Sequence, residues 1–465
     1  MTRFSAFDGT NMKQTRNECN GLFPLRLTSM ERFHLLDDNP NFSNSTFAKF
    51  EFEGQIDPRL GQQALDIAVD RHPIIKSKIQ SDGPRPVWIQ VPGFRLAVDW
   101  TRTGSSYGPS QLFDIHREPG VHMYVGSDTN STFVLFHGHH STCDGIGGVQ
   151  FTTDWLRIYD NLVHQKEPLE GLPRLDPLML VERNHLRMFS RRYLVHLWKQ
   201  PLGLFGATKF IFRKIRPLYP GCESSNPWDE ETQPAIIGQW LDPDSTRTLR
   251  QHALDQNVAF NSLLMSEFFL CLQQWRVEEL GQSGDDWIRL IVPMSIRDIS
   301  DRRQTATNRA TIVQVDRRKR DFENPTGFLP RLDREIAIIR DWQLSKIFIL
   351  AIRTMAMIPG MLTRSARSQK CRGSAVYTNL SEPIGRLGLA KKADSVEVGN
   401  MLMKSFDYVG PIRRGTPVYV TIQKHLDRTR VSMHYDPRVV ISCQAEKLLT
   451  QYVDRLTKLA NSLVD

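Results

Sequence analysis

The sequence contains few cysteines, and they are arranged for neither a disulfide framework nor a zinc site. Its six cysteines are scattered singly through 465 residues, and no two of them form a Cys-x-x-Cys pair. Disulfide-rich domains and zinc modules carry cysteines at short, regular spacings, so the pattern argues against both classes. Scattered single cysteines fit a reducing compartment, and we expect a cytoplasmic protein.

Long apolar runs are also absent. Residues 347–362 come closest to one, but Arg353 interrupts them, and a membrane-spanning helix needs about 20 predominantly apolar residues. The first residues, MTRF, offer no apolar segment of the secretory type. We therefore expect no spanning helix and interpret residues 347–362 as a buried helix, while a peripheral location at the membrane surface stays open.

Negative charge is in short supply. Aspartate and glutamate number 51 against 60 lysines and arginines, which gives a net charge of +9. Between residues 181 and 220, nine cations accompany one anion, Glu182, so this segment holds +8 of the excess. Apolar side chains recur there at spacings of three and four residues, which predicts a basic amphipathic helix over the first half of the segment.

Three partners suit such a helix: an anionic membrane surface, an acidic carrier protein, or the phosphates of coenzyme A. The helix is equally suited to pack across a junction between lobes with its charged face in water. A nucleic-acid partner is not expected, because the sequence contains no recognisable reader motif.

What the sequence does have is a globular composition and two halves of similar design. Hydrophobic residues make up 40% and charged residues 24%, which is typical of a folded chain of two or three domains. Strands and helices are predicted in both halves, so we expect an α/β (α+β) fold with two lobes. The predicted divisions are a flexible lead-in at 1–27, an N-terminal lobe at 28–170, a basic inter-lobe crossover at 171–232 and a C-terminal lobe at 233–465.

The individual elements follow from periodicity and turn signals. In the first half we predict a short helix capped by Thr28 or Ser29, a helix starting at Asp57, a helix after residue 148, and strands at 48–53, 87–91, 96–100, 121–125 and 132–138. In the second half we predict strands at 235–241, 288–292, 311–315, 375–378, 417–423 and 430–435, with helices at 246–255, 261–277, 326–341, 343–358 and from 442.

One segment concentrates the reactive side chains. It reads HGHHSTCDGIGG at residues 137–148 and follows a predicted buried strand. Because side chains alternate along a strand, His139 and His140 face opposite ways and need different roles. An imidazole with its ordinary pKa near about 6.5 accepts a proton at neutral pH, so a histidine at the end of this strand suits a general base. Asp144 can orient that imidazole or pair with a cation elsewhere.

Other chemistries fit the segment less well. His137, His139 and Asp144 are ligand types for a metal, but one His-x-His pair supplies only two ligands and no further pair has metal spacing, so no metal site is expected. Cys143 lies beside the histidines, but nothing in the sequence orients its thiol. Replacing Cys143 by serine is therefore expected to leave activity largely intact.

The segment resembles the HHxxxDG signature of the chloramphenicol acetyltransferase-like superfamily, through His139, His140, Asp144 and Gly145. That superfamily includes nonribosomal peptide condensation domains, polyketide-associated acyltransferases, and wax ester synthase/diacylglycerol acyltransferases. The resemblance spans nearly the whole chain, in the segments LTSMER (27–32), FEGQID (52–57), RHP (71–73), VPMSIR (292–297) followed by Asn308, and VYTNL (376–380). Two departures are that TNLS (378–381) stands where relatives have Ser-Asn-Leu-Gly, and that FDYVG (406–410) only faintly matches the plant DFGWG motif.

The resemblance implies a fold, a reaction and a set of roles. It implies two acetyltransferase-like lobes, each a mixed sheet with helices, and an active-site tunnel between them. His140 would be the general base, with His139 and Asp144 completing the catalytic motif and Asp144 paired with Arg297 from the other lobe. Gly145 and Arg297 would be structural or orienting residues. Contacts to substrate are assigned to Asn379, Gly147 and Gly148, where the glycines also permit close backbone approach.

The function implied is acyl transfer from a thioester of coenzyme A or phosphopantetheine to an alcohol or amine acceptor, with no acyl-enzyme and no further cofactor. We expect a monomeric, stand-alone enzyme, with an acyl carrier protein and a membrane surface contacting residues 181–220 as open partners. Two alternatives remain: a condensation enzyme that forms amides on carrier proteins, and a catalytically silent binding or scaffold protein of the same fold.

Overall fold

The protein is described by a computed structural model. It describes residues 21–83, 85–102, 113–188, 194–199, 235–368, 370–384 and 395–463, together with residues 201, 213, 215, 217–219, 389, 391 and 392. The predicted lead-in before residue 21 and the turn-rich part of the crossover after residue 219 lie outside the described residues.

The described strands and helices alternate much as the sequence predicts. The strands are β1 (Leu25–Arg26), β2 (Ser45–Glu53), β3 (Ser77–Gln80), β4 (Val87–Gln90), β5 (Val121–Ser127), β6 (Ser131–His139), β7 (Ala235–Leu241), β8 (Ile288–Ser295), β9 (Ala310–Arg317), β10 (Ala375–Ser381), β11 (Lys391–Lys392), β12 (Ser395–Val398), β13 (Met401–Val409), β14 (Val418–His425) and β15 (Arg428–Tyr435). The helices are α1 (Ser29–Asp37), α2 (Pro58–Arg71), α3 (Gly145–Val163), α4 (Pro243–Asp255), α5 (Phe260–Glu278), α6 (Pro325–Asp341), α7 (Lys346–Met357), α8 (Met361–Ala366) and α9 (Ser442–Asn461).

The first large sheet has the strand order β11-β12-β13-β2-β6-β5. Strand β6 lies between β2 and β5, and its residues 132–139 are buried. Three strands of this sheet, β11 to β13, come from residues beyond 390, and β13 pairs antiparallel with β2. The chain therefore returns from its second half to complete the sheet that carries the HHxxxDG segment.

The second large sheet has the order β7-β15-β14-β10-β8-β9. Strand β10 runs parallel to both of its neighbours, and the other pairs are antiparallel. Helices α4, α5 and α9 contact one another and bury their apolar residues in the core of this sheet. Mixed sheets covered by helices confirm the predicted α+β fold with two lobes; where the lobes divide along the chain stays a prediction.

Helix α1 is the element that links the two halves at the site. Thr28 and Glu31 form a reciprocal capping box, with Glu31 N donating to Thr28 Oγ1 at 3.1 Å and Thr28 N donating to Glu31 Oε2 at 2.8 Å. The predicted cap is thus confirmed. Apolar residues of α1 pack against α7 and α8, so this helix is held between the two halves of the chain.

The strand predicted at 96–100 does not form. Its backbone is not paired with a strand, and it lies against α2 instead: Gln62 Nε2 donates to the Leu96 carbonyl at 3.1 Å, and Trp100 Nε1 donates to Gln62 Oε1 at 3.0 Å. Alternating apolar residues here cover a helix, because Gln62 satisfies polar groups that a neighbouring strand would otherwise bind.

The predicted buried helix at 347–362 is formed by α7 and α8, with Ile347, Ile349, Ile352 and Leu362 buried. Across the described residues, no helix combines the length and hydrophobicity required to span a bilayer.

The predicted basic amphipathic helix differs from the structure where it is described. Residues Pro177–Asn184 form a 3-10 helix that starts before the basic segment, and residues 189–193 lie outside the described residues. Arg183 and Arg187 form ion pairs with acidic side chains, as does Arg213, and Lys199 lies over the Trp342 ring. These four charges are compensated within the chain, so they do not form a free basic face.

Candidate active site

The HHxxxDG segment connects the end of β6 to the start of α3. His140 N donates to the Asn44 carbonyl at 2.7 Å, which continues the β2 pairing by one residue. Asp144 then caps α3, and its Oδ1 accepts from Gly147 N at 2.8 Å. A carboxylate at a helix N-cap satisfies an N–H that has no partner within the helix, so this aspartate fixes where the helix begins.

The two adjacent histidines diverge, as alternation predicts. His139 is fully buried and contacts the Phe113 ring, which His137 also contacts. Its Nδ1 accepts from Ser141 N at 3.1 Å, and its Nε2 lies 3.5 Å from Asp38 Oδ2. His139 therefore belongs to the packed interior, whereas His140 lies in the wall of a cavity.

The His140 ring is fixed on one edge and one face. Asn308 Nδ2 donates to the His140 carbonyl oxygen at 2.7 Å and lies 3.1 Å from Nδ1. The face of the ring stacks on His34, with centroids 4.2 Å apart. Among the described residues, no hydrogen-bond partner lies at Nε2, which leaves this nitrogen for a ligand.

The environment keeps His140 neutral. Burial lowers the pKa of His140 to about 4, assisted by the Arg413 charge, although a hydrogen bond with its own carbonyl and the nearby Asp144 act to raise it. At neutral pH an imidazole with this pKa carries a lone pair rather than a second proton. A neutral ring is the form that a general base needs.

Asp144 and Arg297 form the ion pair that the sequence predicts. Arg297 Nη1 lies 2.6 Å from Asp144 Oδ2, and the same oxygen accepts from Arg309 N at 2.7 Å. Burial would raise the pKa of Asp144, but the Arg297 charge and the N–H donors outweigh it and hold the pKa below its ordinary value. Arg297 Nη2 also donates to the Thr307 carbonyl at 2.7 Å, so the pair ties α3 to the segment before β9.

The other predicted site residues lie outside the cavity wall. A Cβ on Gly147 would lie 2.7 Å from the Thr307 carbonyl oxygen, and one on Gly148 would lie 2.4 Å from Tyr408 Oη, so both glycines permit close packing of α3. Asn379 Nδ2 donates to Asn261 Oδ1 at 2.9 Å. Contact of these three residues with a substrate stays a prediction. Gly145 lies at the start of α3, beside Asp144.

The cavity beside His140 has a volume of about 650 Å³ and is built from both halves of the chain. Its wall includes α1 with the loop that follows it, the ends of β8 and β9, and the segments around residues 366–376 and 411–419. Sequence reasoning missed His34, Arg372 and Arg413, which line it. Met30, Phe33, His34 and Asp37 share the helical spacing that places them on one face of α1, and this was the available signal for His34.

Two other chemistries were considered from the sequence. Cys143 is buried, and burial raises the pKa of its thiol, assisted by the nearby Asp144 charge, so the thiol is protonated at neutral pH. Within the part of the chain that the structure describes, no three histidine, cysteine, aspartate or glutamate residues are grouped so as to hold a metal ion.

Solved structures with the same fold are condensation domains and their relatives. The first condensation domain of the calcium-dependent antibiotic synthetase, in complex with a substrate analogue, is 14% identical with a TM-score of 0.66, covering 94% of this chain and 96% of that chain. A mutant starter condensation domain of rhizomide synthetase, in complex with C8-CoA, is 13% identical with a TM-score of 0.64, covering 98% and 97%.

A third similar structure is the SgcC5 protein from Streptomyces globisporus, in complex with a naphthyl ethanediol and sucrose. It is 13% identical with a TM-score of 0.63, covering 94% of this chain and 98% of that chain. No protein-family model and no curated protein matches the chain. These likenesses confirm the fold predicted from the sequence: the chain has the two-lobed fold of condensation domains, which belong to the chloramphenicol acetyltransferase-like superfamily.

Proposed function

We propose that the protein is an acyltransferase that moves an acyl group from a thioester of coenzyme A or phosphopantetheine to an alcohol or amine. The observation that carries the proposal is the placement of His140: a neutral imidazole with a free Nε2, in the wall of a cavity formed by both halves of the chain. The condensation-domain fold supports the same class of reaction.

In the proposed mechanism, the His140 ring holds its proton on Nδ1, where its own carbonyl accepts it, and Nε2 receives a proton from the acceptor. The acceptor oxygen or nitrogen then forms a bond to the thioester carbonyl carbon. As the tetrahedral intermediate collapses, the carbon–sulfur bond breaks and the imidazolium returns its proton to the departing thiolate. The products are an ester or amide and a free thiol, and no acyl-enzyme forms.

The low pKa of His140 has opposite effects on the two proton transfers. A pKa of about 4 makes the neutral ring a weak base. It also makes the imidazolium a strong acid, which favours rapid protonation of the thiolate. Asp144 and Arg297 act in this mechanism by holding α3 and the segment before β9 in place. His139 supports the backbone of the motif from the buried side.

A second candidate is amide formation between carrier-bound substrates. It is favoured by the fold shared with the condensation domain of the calcium-dependent antibiotic synthetase. A catalytically silent scaffold is the third reading, and an intact His140 and Asp144 count against it. A monomeric state, a cytoplasmic location, and contact of residues 181–220 with a carrier protein or a membrane surface stay predictions.

Thiol release tests the proposal. Acyl-CoAs from acetyl to palmitoyl, and the same acyl groups loaded on a carrier protein, are offered with a panel of alcohols and amines. We expect release with at least one donor, and a fall of roughly 10²-fold or more in His140→Ala. His116→Ala, at an exposed histidine outside the cavity, is the matched control and keeps the wild-type rate. Release with no donor at all, including carrier-loaded ones, would favour the scaffold.

A further inference from the structure

The cavity beside His140 is rich in positive charge. Among the described residues, five cationic side chains line it: Arg367, Lys370, Arg372, Arg413 and Arg414. Only two acidic side chains line the same cavity. The remaining wall is largely apolar, and charges beside apolar walls in a confined space act on a ligand more strongly than charges in open water.

The two acidic side chains are already engaged. Asp37 Oδ2 lies 2.7 Å from both Nε and Nη2 of Arg413, so this arginine is neutralised within the chain. Asp38 accepts from Asn44 N at 2.7 Å and lies beside His139. Neither carboxylate is left to balance a further cation.

Arg372 is the cation that stays uncompensated. Its Nη2 donates to the Ser365 carbonyl, and its guanidinium carbon lies 5.9 Å from the Phe33 ring centroid. Across the described residues, no carboxylate oxygen lies within 4 Å of its nitrogens. Burial lowers the pKa of this guanidinium, which reflects the free energy required to keep its charge away from water. A cavity-lining arginine with free donors fits an anionic oxygen group.

Arg372 and His140 are joined by a short series of rings. Arg372 lies over Phe33, the Phe33 ring lies 5.9 Å from His34, and His34 stacks on His140 at 4.2 Å. The charge and the free Nε2 therefore share one wall of one cavity. A substrate with an anionic group at one end and its reacting group at the other would contact both.

We propose that the cavity binds a substrate through an anionic oxygen group that pairs with Arg372. The group is a carboxylate on the acyl acceptor or a phosphate on the coenzyme A donor, and both present the planar guanidinium with two acceptor oxygens. Its role as a substrate anchor rests on the acyltransferase function proposed above. Binding itself is tested without turnover.

Two matched pairs of probes test the assignment by titration calorimetry on the full chain. 2-Naphthoate and 2-naphthamide differ in charge but little in shape, and coenzyme A differs from pantetheine in carrying phosphates. We expect at least one charged probe to bind about tenfold or more tightly than its neutral partner, as a charge-assisted pair would give. The naphthoate pair reports an acceptor carboxylate, and the coenzyme A pair reports a donor phosphate.

Variants then locate the preference. In Arg372→Gln the preference for the charged probe is expected to disappear, and Arg372→Lys, which keeps the charge, retains part of it. Arg247→Gln removes one charge from an exposed position on α4 and is the matched control, so it keeps the full preference. If Arg372→Gln does not fold, Arg372→Lys and the wild-type comparison of charged with neutral probes still decide the outcome.

Either of two results overturns the assignment. One is that neither charged probe binds better than its neutral partner in the wild type, with absence of any binding counted here. The other is that the preference survives in a folded Arg372→Gln. The same titrations on His140→Ala separate this inference from the proposed function, because a charge preference without turnover contradicts only the function, and turnover without a charge preference contradicts only the anion site.

Discussion

His34 and His140 stack face to face, with ring centroids 4.2 Å apart and ring planes 9° from parallel. His34 is held from behind by Asn44, whose Nδ2 lies 3.1 Å from His34 Nδ1. Burial lowers the pKa of His34 well below its ordinary value, and the nearby His140 lowers it further, so both rings are neutral at physiological pH. The stack therefore orients His140 without placing a charge against it.

Removing the stacked ring should impair His140 without removing the base. We expect His34→Leu to lower kcat about tenfold with little change in KM, because His140 then samples orientations that turn Nε2 away from the cavity. His34→Phe keeps a flat ring at the same place and should restore most of the rate. Thiol-release kinetics on both variants check this, and equal losses in the two would contradict a stacking role.

The pH dependence of the rate should report the depressed pKa of His140. Burial, with the Arg413 charge, lowers that pKa to about 4, so the neutral base falls away only as the pH drops through this value. At pH 5 roughly nine-tenths of the rings stay neutral, against about one-thirtieth for an ordinary histidine of pKa 6.5. Rates measured between pH 5 and 7.5 should therefore be nearly flat.

Arg413 offers an internal check on this profile. Its charge lowers the pKa of His140, and its removal also frees the Asp37 carboxylate. In Arg413→Gln the pKa of His140 should rise, and the acid limb should move to higher pH. An NMR titration of the His140 ring protons follows the shift independently of turnover. A wild-type limb between pH 6 and 7 would show that the cavity is more hydrated than its packing indicates.

The Asp144–Arg297 pair should matter for stability as well as activity. Removing one partner of a buried pair leaves the other charge unpaired, and Asp144→Ala should lower the free energy of unfolding by about 3–5 kcal/mol. Asp66→Ala breaks an exposed pair with Arg95 and should cost within about 1 kcal/mol. Urea unfolding measures both. Full stability and activity in Asp144→Ala would show that the pair is dispensable.

Local sequence patterns predicted the elements whose partners are near in the chain or marked by a motif. The capping box of α1, the β5–β6 hairpin and the N-cap of α3 are all formed as their residues indicate. Strand β13 was not predicted. Its pairing with β2 joins Met403 to Phe52 across some 350 residues of chain, and its neighbours in sequence contain no information about that contact.

The site shows the same division. His140, Asp144 and Arg297 are accessible from the sequence because a motif marks them and their partners. His34 and Arg372 acquire their places only when α1 and the segment before β10 pack on either side of Phe33. Neither residue belongs to a motif, so composition and spacing could identify them as polar residues of a helix and a loop, and no more.

Cys143 should be catalytically silent in spite of its position. It is buried, burial raises the pKa of its thiol, and it does not line the cavity. We expect Cys143→Ser to keep the wild-type rate of thiol release within about twofold, since the thiol is neither ionised nor within reach of a substrate. Iodoacetamide should leave the folded enzyme active. Rapid inactivation that Cys143→Ser abolishes would instead identify an exposed, reactive thiol.

The glycines of the motif separate packing from substrate contact. A Cβ on Gly147 would lie 2.7 Å from the Thr307 carbonyl oxygen, whereas one on Gly145 would find its nearest atom, in Tyr408, at 3.4 Å. Gly147→Ala should therefore destabilise the fold by about 1–3 kcal/mol, because backbone must move, even though alanine favours a helix. Gly145→Ala is the matched control and should stay within about 1 kcal/mol of wild type. If Gly147→Ala unfolds like wild type in urea but loses affinity for acyl donors, the glycine contacts substrate and the packing explanation is wrong.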